Sequence, residues 1–172
     1  MNNRTLCFSG HRPEKLPMEG EPSSIEIRRL VSLLVTEIQL SAESGYTTFI
    51  TGVAKGIDLW AAKAVIELRD SRPNIKLVCA VPFKGYGDNW RGVDKWDLGL
   101  TLEAADEVVF ICDRYERGCM RKRNEYMVDR SSKLIAVLDD YKSGTGQTLR
   151  YAQKKGIDIR IINPSVVLSF NE

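Results

Sequence analysis

The strongest constraint on this chain is an alternation. Short apolar runs are separated by stretches with helical spacing, and the pattern repeats from one end to the other. The runs are Thr5–Ser9, Thr47–Thr51, Lys76–Val81, Glu107–Ile111, Lys133–Leu138 and Asp158–Ile162, the last ended by Asn163-Pro164. Most are continuously apolar, as strands buried on both faces of a parallel sheet require. Between them, Ser23-Ser24 precede a stripe of Ile27, Leu30, Val31, Leu34, Val35 and Ile38 that stops at Gly45. Ile57–Leu68 carries a second stripe through Ala61, Ala64, Val65 and Leu68. Further helices are expected over about Asp88–Glu103, Gly118–Arg130 and Thr145–Lys155, the last closed by Gly156. Strand and helix in alternation predict an α/β Rossmann-like, doubly wound, mostly parallel sheet of about six strands with helices on both faces. No repeat or linker interrupts it, so residues 1–172 read as one domain.

Composition narrows the function. Basic and acidic residues nearly balance, 25 against 23, which argues against a bulk nucleic-acid coat but leaves room for a local basic patch. No apolar run approaches the roughly 18 residues of a membrane span. Met1-Asn2-Asn3-Arg4 leads straight into the first run, so no signal peptide is expected. Cys7, Cys79, Cys112 and Cys119 form no CxxC pair, and His11 is the only histidine. That argues against a metal site, and the cysteines read as reduced core thiols of a cytoplasmic protein. A protease triad would need its base from that one histidine, beside a glycine in the first loop.

Ligands of open α/β sheets bind outside the carboxyl ends of the strands. Four segments should therefore meet on one edge: Ser9-Gly10-His11-Arg12-Pro13, Thr51-Gly52 through Gly56-Ile57-Asp58, Pro82-Phe83 through Trp90, and Asp139 through Thr148. The first belongs to a long loop holding Pro13, Pro17 and Pro22. Thr51-Gly52 to Gly56 and Ser143-Gly144-Thr145-Gly146 suit a phosphate, because glycines admit backbone N–H groups and a helix N-terminus follows. Neither is a GK[ST] loop, and no GxGxxG follows the first strand. Arg12 can pair bidentately with a phosphate or lie on the surface. Asp58 is either a ligand contact or a first-turn acid favoured by the helix dipole. Trp60, Trp90 and Trp96 fit core or lid positions, and Tyr86 and Trp90 are the better stacking candidates.

Several of these segments also resemble a known superfamily. Thr51-Gly52-Val53-Ala54-Lys55-Gly56-Ile57-Asp58-Leu59-Trp60-Ala61-Ala62 resembles the SGxAxGID…A segment of DprA/Smf proteins. Arg123-Asn124-Glu125-Tyr126-Met127-Val128 resembles their RNRxI segment, and Ser143–Thr148 their SGSxxTA loop. Together with Ser9–Pro13 these mark the SLOG superfamily, which also holds the LOG-type phosphoribohydrolases. The SGHRP opening and Pro82-Phe83…Trp90 look closest to the bacterial YpsA-like branch. The resemblance implies binding of a nucleotide or an ADP-ribose-like derivative. It places Ser9, Gly10, His11, Arg12, Thr51, Gly52, Gly56, Asp58, Pro82, Phe83, Trp90, Asn124, Ser143, Gly144, Thr145 and Gly146 at the ligand. No metal or cofactor is implied.

For activity, Met120–Met127 keeps the spacing of the LOG MxxRKxxM segment and puts Arg123 at its catalytic arginine. Leu149 falls about where the LOG glutamate would stand, so the carboxylate that N-glycosidic hydrolysis needs is missing there. Asp58 or Asp139 would have to replace it. Three functions follow: a nucleotide-binding sensor or regulator, an N-glycosidic phosphoribohydrolase, or a DprA-like single-stranded DNA binder using Arg117, Arg121 and Lys122. The fold class also admits a homo-oligomer associating through its helices.

Overall fold

The computed structural model describes residues 4–166. Met1, Asn2 and Asn3, on which the signal-peptide expectation rests, lie outside the described residues. The elements run β1 (Arg4–Gly10), α1 (Ile25–Glu43), β2 (Tyr46–Thr51), α2 (Ile57–Leu68), β3 (Lys76–Phe83), α3 (Gly92–Ala104), β4 (Glu107–Cys112), α4 (Cys119–Asp129), β5 (Lys133–Val137), α5 (Gly144–Lys155) and β6 (Asp158–Ile162). Two 3-10 turns, Pro13–Lys15 and Pro17–Gly20, fill the proline-rich loop after β1. All six strands pair in parallel, in the order β4-β3-β2-β1-β5-β6.

Side-chain alternation divides the core into two layers. Leu6 and Phe8 of β1 pack with Ile27, Leu30, Leu34 and Ile38 of α1 and with Ile57, Ala61 and Val65 of α2. Cys7, between them, faces the other way and packs with Met127 of α4 and Leu149 and Ala152 of α5. Ser24 caps α1, its Oγ accepting from the Ile27 N–H at 3.3 Å, a contact worth about 1 kcal/mol. Gly45 follows that helix with φ of 99°, a value glycine adopts freely.

Three expectations are corrected. Pro82 and Phe83 are the last residues of β3 and not loop, because the ladder to β4 continues as far as Phe83 opposite Cys112. The third helix begins at Gly92, since Gly85 and Gly87 take positive φ and residues 85–90 close two turns, Asp88 N–H to Gly85 O and Trp90 N–H to Gly87 O. Burial on both faces holds for the inner strands only. The edge positions of β4 and β6 leave Phe110 and Ile161 exposed.

Candidate functional site

The chain leaves β1 for α1 on one face of the sheet and reaches β5 from α4 on the other, so a crevice opens between the carboxyl ends of β1 and β5. Gly10 ends β1 there. A Cβ at this position would overlap Ile57, so the missing side chain lets α2 start directly against the strand. His11 then ties the two sides together. Its N–H donates to Val137 O at 3.1 Å. Its buried Nε2 lies 3.1 Å from Asp139 Oδ1, and 3.2 and 3.3 Å from the Asp139 and Asp140 backbone nitrogens. Asp139 also accepts from Ser165 Oγ.

A polar hollow of about 330 Å³ occupies the crevice, lined by Ser9, Gly10, His11, Arg12, Glu14, Lys15, Ala54, Asp58, Met120, Arg123, Asn124, Ser143, Gly144 and Thr145. The first turns of α2, α4 and α5 all contribute, through Asp58, Met120 and Gly144-Thr145, so three helix dipoles point their positive ends at one volume. Ser143 caps α5, its Oγ accepting from the Gly146 N–H at 3.1 Å and donating to Asp140 O at 2.5 Å. Gly144 and Thr145 fill the next two positions, where a helix N–H has no carbonyl of its own helix to bond. The Arg12 guanidinium makes no ion pair within 4 Å among the described residues.

Arg123 forms the floor. Its side chain is only 5% exposed, yet NH1 donates to Gly52 O and Nε donates to Asn124 Oδ1 at 2.7 Å. The guanidinium lies so close over Gly52 that a Cβ there would stand 2.9 Å from Arg123 Cζ and 2.8 Å from Asp58 Oδ2. Asp58 Oδ2 accepts from the Ala54 N–H at 3.2 Å. Its Oδ1 is buried with no hydrogen-bond partner among the described residues. The loop that makes this possible is strained. Val53 holds φ of 54°, a conformation β-branched residues avoid and one that costs about 1–3 kcal/mol. Thr51 is sealed beneath it, its Oγ1 donating to Asp58 O at 2.9 Å.

Burial pushes the Asp58 carboxyl up to about 6, while Arg123, the Ala54 N–H and Arg12 pull it back. The folded value therefore lies above the unfolded one near 3.8, and the folded protein binds the proton more tightly. Stability should fall as pH rises from about 4 to about 6 and stay lower above that. Asp58→Asn removes the effect. The stability difference between the two proteins, measured by urea denaturation, should swing by roughly 2–3 kcal/mol across that window in favour of the variant. A difference independent of pH would show that the carboxyl does not titrate there.

A second hollow of about 570 Å³ adjoins the first, and Arg12, Glu14 and Met120 line both. Phe83, Tyr86 and Trp90 line it, with Phe83–Tyr86 and Tyr86–Trp90 ring pairs at 5.5 and 5.1 Å in edge-on geometry. Lys55 closes one side, its Nζ 4.9 Å from the Trp90 ring and 3.3 Å from Asp94 Oδ2. Burial raises the Tyr86 hydroxyl, and Arg123 opposes that rise.

Of the expected site residues, Thr51, Gly52, Gly56, Pro82 and Gly146 line neither hollow. Gly56 is the N-cap of α2 at φ of 84°, against Pro13, and Gly146 is packed on the Tyr141 backbone. Gly52 presents its carbonyl to Arg123. Leu149, at the place of the LOG glutamate, is 1% exposed in the core and brings no carboxylate. Lys55, Glu14 and Met120 line the hollows although sequence reasoning gave them no role there. Lys55 lies within the glycine-rich loop, and its charge was the available signal. Arg117 and Lys122 line neither hollow, and Lys122 is paired with Glu116. Among the described residues no three His, Cys, Asp or Glu side chains group to hold a metal, and no helix is long and apolar enough to cross a membrane.

The six-stranded parallel sheet with helices on both faces defines a Rossmann-like α/β protein. The family model described as the YspA SLOG family (YpsA) matches residues 6–166, and the chain belongs to that family. Its relatives include the SPbeta prophage-derived protein YoqJ of Bacillus subtilis (strain 168), 34% identical over 145 residues, which cover 77% of this chain and 84% of that one. A UPF0398 protein of Halalkalibacterium halodurans is 33% identical over 129 residues, covering 71% and 68%. Among solved structures, DNA processing protein A of Helicobacter pylori, described for its single-stranded DNA binding mode, superposes with a TM-score of 0.61 at 17% identity. That of Streptococcus pneumoniae gives 0.63 at 15%. Both cover 92% of this chain, which spans 64% and 50% of theirs, and at these identities they establish the fold alone.

Proposed function

We propose that this protein binds a nucleotide or a nucleotide-derived phosphoester of the ADP-ribose kind, as a sensor or regulator. Phosphate sits in the polar hollow on the Gly144 and Thr145 N–H groups and Arg12. The base sits in the aromatic hollow, and Asp58 Oδ1 accepts from a ribose hydroxyl between them. One observation supports this reading: two adjoining hollows, one edged by three helix N-termini and the other by Phe83, Tyr86 and Trp90, each in the roughly 300–1,000 Å³ range of small-molecule sites, meet at Arg12, Glu14 and Met120.

The test is a thermal-shift screen with AMP, ADP, ADP-ribose, ribose 5-phosphate and a short single-stranded oligonucleotide. A nucleotide at about a hundredfold excess over its dissociation constant should add about 2.7 kcal/mol, or roughly 5–10 °C for a chain of this size. Trp90→Ala should weaken the nucleotide about tenfold or more and leave ribose 5-phosphate unchanged, because stacking on a base is worth about 1–3 kcal/mol. Stabilisation by the oligonucleotide alone would replace this reading with a DNA-binding one.

A second reading rests on Asp58. A buried carboxyl with a free oxygen, raised to about 6 beside Arg123, is equipped for acid–base work in N-glycosidic hydrolysis. Chromatography of the incubated nucleotide decides between the two. Release of free base that is lost in Asp58→Asn would make the protein a hydrolase.

A further inference from the structure

A third hollow, of about 340 Å³, lies between α4 and α5. Arg121, Asn124 and Glu125 line it from α4, and Arg150, Tyr151 and Lys154 line it from α5. Each set has the three-and-four spacing of one helix face, so two stripes meet across the seam. Its charge is lopsided, with three cations against the one carboxylate of Glu125. Arg121 Nε donates to Glu125 Oε1 at 2.8 Å, which occupies one of the five guanidinium N–H groups. Arg150 NH1 donates to Tyr141 O at 2.6 Å. Lys154 makes no ion pair within 4 Å among the described residues, whereas the adjacent Lys155 pairs with Asp129 at 3.0 Å.

Asn124 joins this hollow to the polar one, because it lines both. Its amide is oriented. Oδ1 accepts from Arg123 Nε at 2.7 Å, so the amide nitrogen keeps its two hydrogens for a neighbour other than that guanidinium. The aromatic and basic hollows share no lining residue, so the polar hollow stands between them. The basic hollow suits phosphate better than a second base. Its one ring, Tyr151, is engaged by its own chain: the hydroxyl donates to Asp129 Oδ1 at 2.9 Å, and the Lys155 ammonium lies 5.3 Å from the ring centroid.

We infer that the ligand is a nucleoside polyphosphate whose phosphates beyond the first lie in the basic hollow between α4 and α5. This rests on the nucleotide reading above and narrows it. With the base in the aromatic hollow and the first phosphate in the polar one, whatever continues from the 5′ end passes Asn124 and meets Arg121, Arg150 and Lys154. Guanidinium groups match phosphate oxygens in geometry as well as charge. ADP-ribose ends in a neutral sugar and gains nothing from them.

Calorimetric titration of the full chain with AMP, ADP-ribose and ATP, without added divalent cations, tests this. ATP should bind about tenfold tighter than either of the others. Lys154→Gln should weaken ATP about fivefold and leave AMP within about twofold. Lys122→Gln removes the same charge one residue from Arg121 but lines none of the three hollows, so it should keep the preference for ATP. ATP no tighter than AMP overturns the inference and leaves the nucleotide reading standing. A gain for ATP that survives Lys154→Gln, or falls equally in Lys122→Gln, overturns it too, because the extra phosphates then lie elsewhere. Failure of all three ligands to bind ends both readings.

Discussion

Replacing Arg123 with alanine is expected to weaken nucleotide binding by at least about a hundredfold and to cost about 2–4 kcal/mol of stability. The side chain crosses from α4 to the end of β2, where it donates to Gly52 O and to Asn124 Oδ1. Hydrogen bonds from a charged donor contribute about 1.5–3 kcal/mol each, and the buried Gly52 carbonyl would be left without its partner. Asp58 would also lose the cation that most lowers its pKa, so its carboxyl would rise further. Arg123→Lys keeps the charge but cannot reach both acceptors in one plane, and should recover part of the stability and little of the binding. Calorimetric titration with the nucleotide that stabilises wild type most, paired with urea denaturation, separates the two effects. Undiminished affinity in the alanine variant would remove Arg123 from the site.

Gly146→Ala is expected to destabilise the fold by about 3 kcal/mol or more. The added methyl would overlap the backbone oxygen and carbon of Tyr141, and neither can move like a side chain. Relief requires unwinding the first turn of α5, which carries the Ser143 cap and the Gly144 and Thr145 N–H groups. Gly144→Ala is the contrast. A Cβ there meets nothing within 4 Å, so its stability should stay within about 0.5 kcal/mol of wild type. It lines the polar hollow, however, and should weaken phosphate binding. Comparing urea midpoints of the two alanines is the measurement. Equal loss in both would mean that α5 is generally intolerant of substitution at its start.

The alternation of apolar runs and amphipathic stripes was sufficient to read the layered sheet, because strands covered on both faces must be apolar throughout. Ser143-Gly144-Thr145-Gly146 was legible as a glycine-rich turn before a helix N-terminus because its chemistry is local: a hydroxyl, then residues with small side chains or none. Pro82 and Phe83 were misplaced because the end of β3 is fixed by pairing with a strand some thirty residues on, not by its own composition. The same holds for Phe110, whose exposure follows from strand order. The role of His11 as a clamp depends on Asp139, 128 residues away, which no local pattern reports. Trp96 was misread because large apolar residues are usually buried, and only the placement of α3 at the flank of the sheet leaves it outside.

The crevice between β1 and β5 has walls more than a hundred residues apart in the sequence, and this sets when during synthesis it can exist. A ribosome that has released β1 through α4 has made one wall and none of the Ser143–Thr145 wall. A ligand held by both walls, as proposed above, would be bound only after the Ser143–Thr145 segment has been made. If such a ligand binds, it would stabilise only molecules that carry both walls, so its concentration would influence how many of them persist.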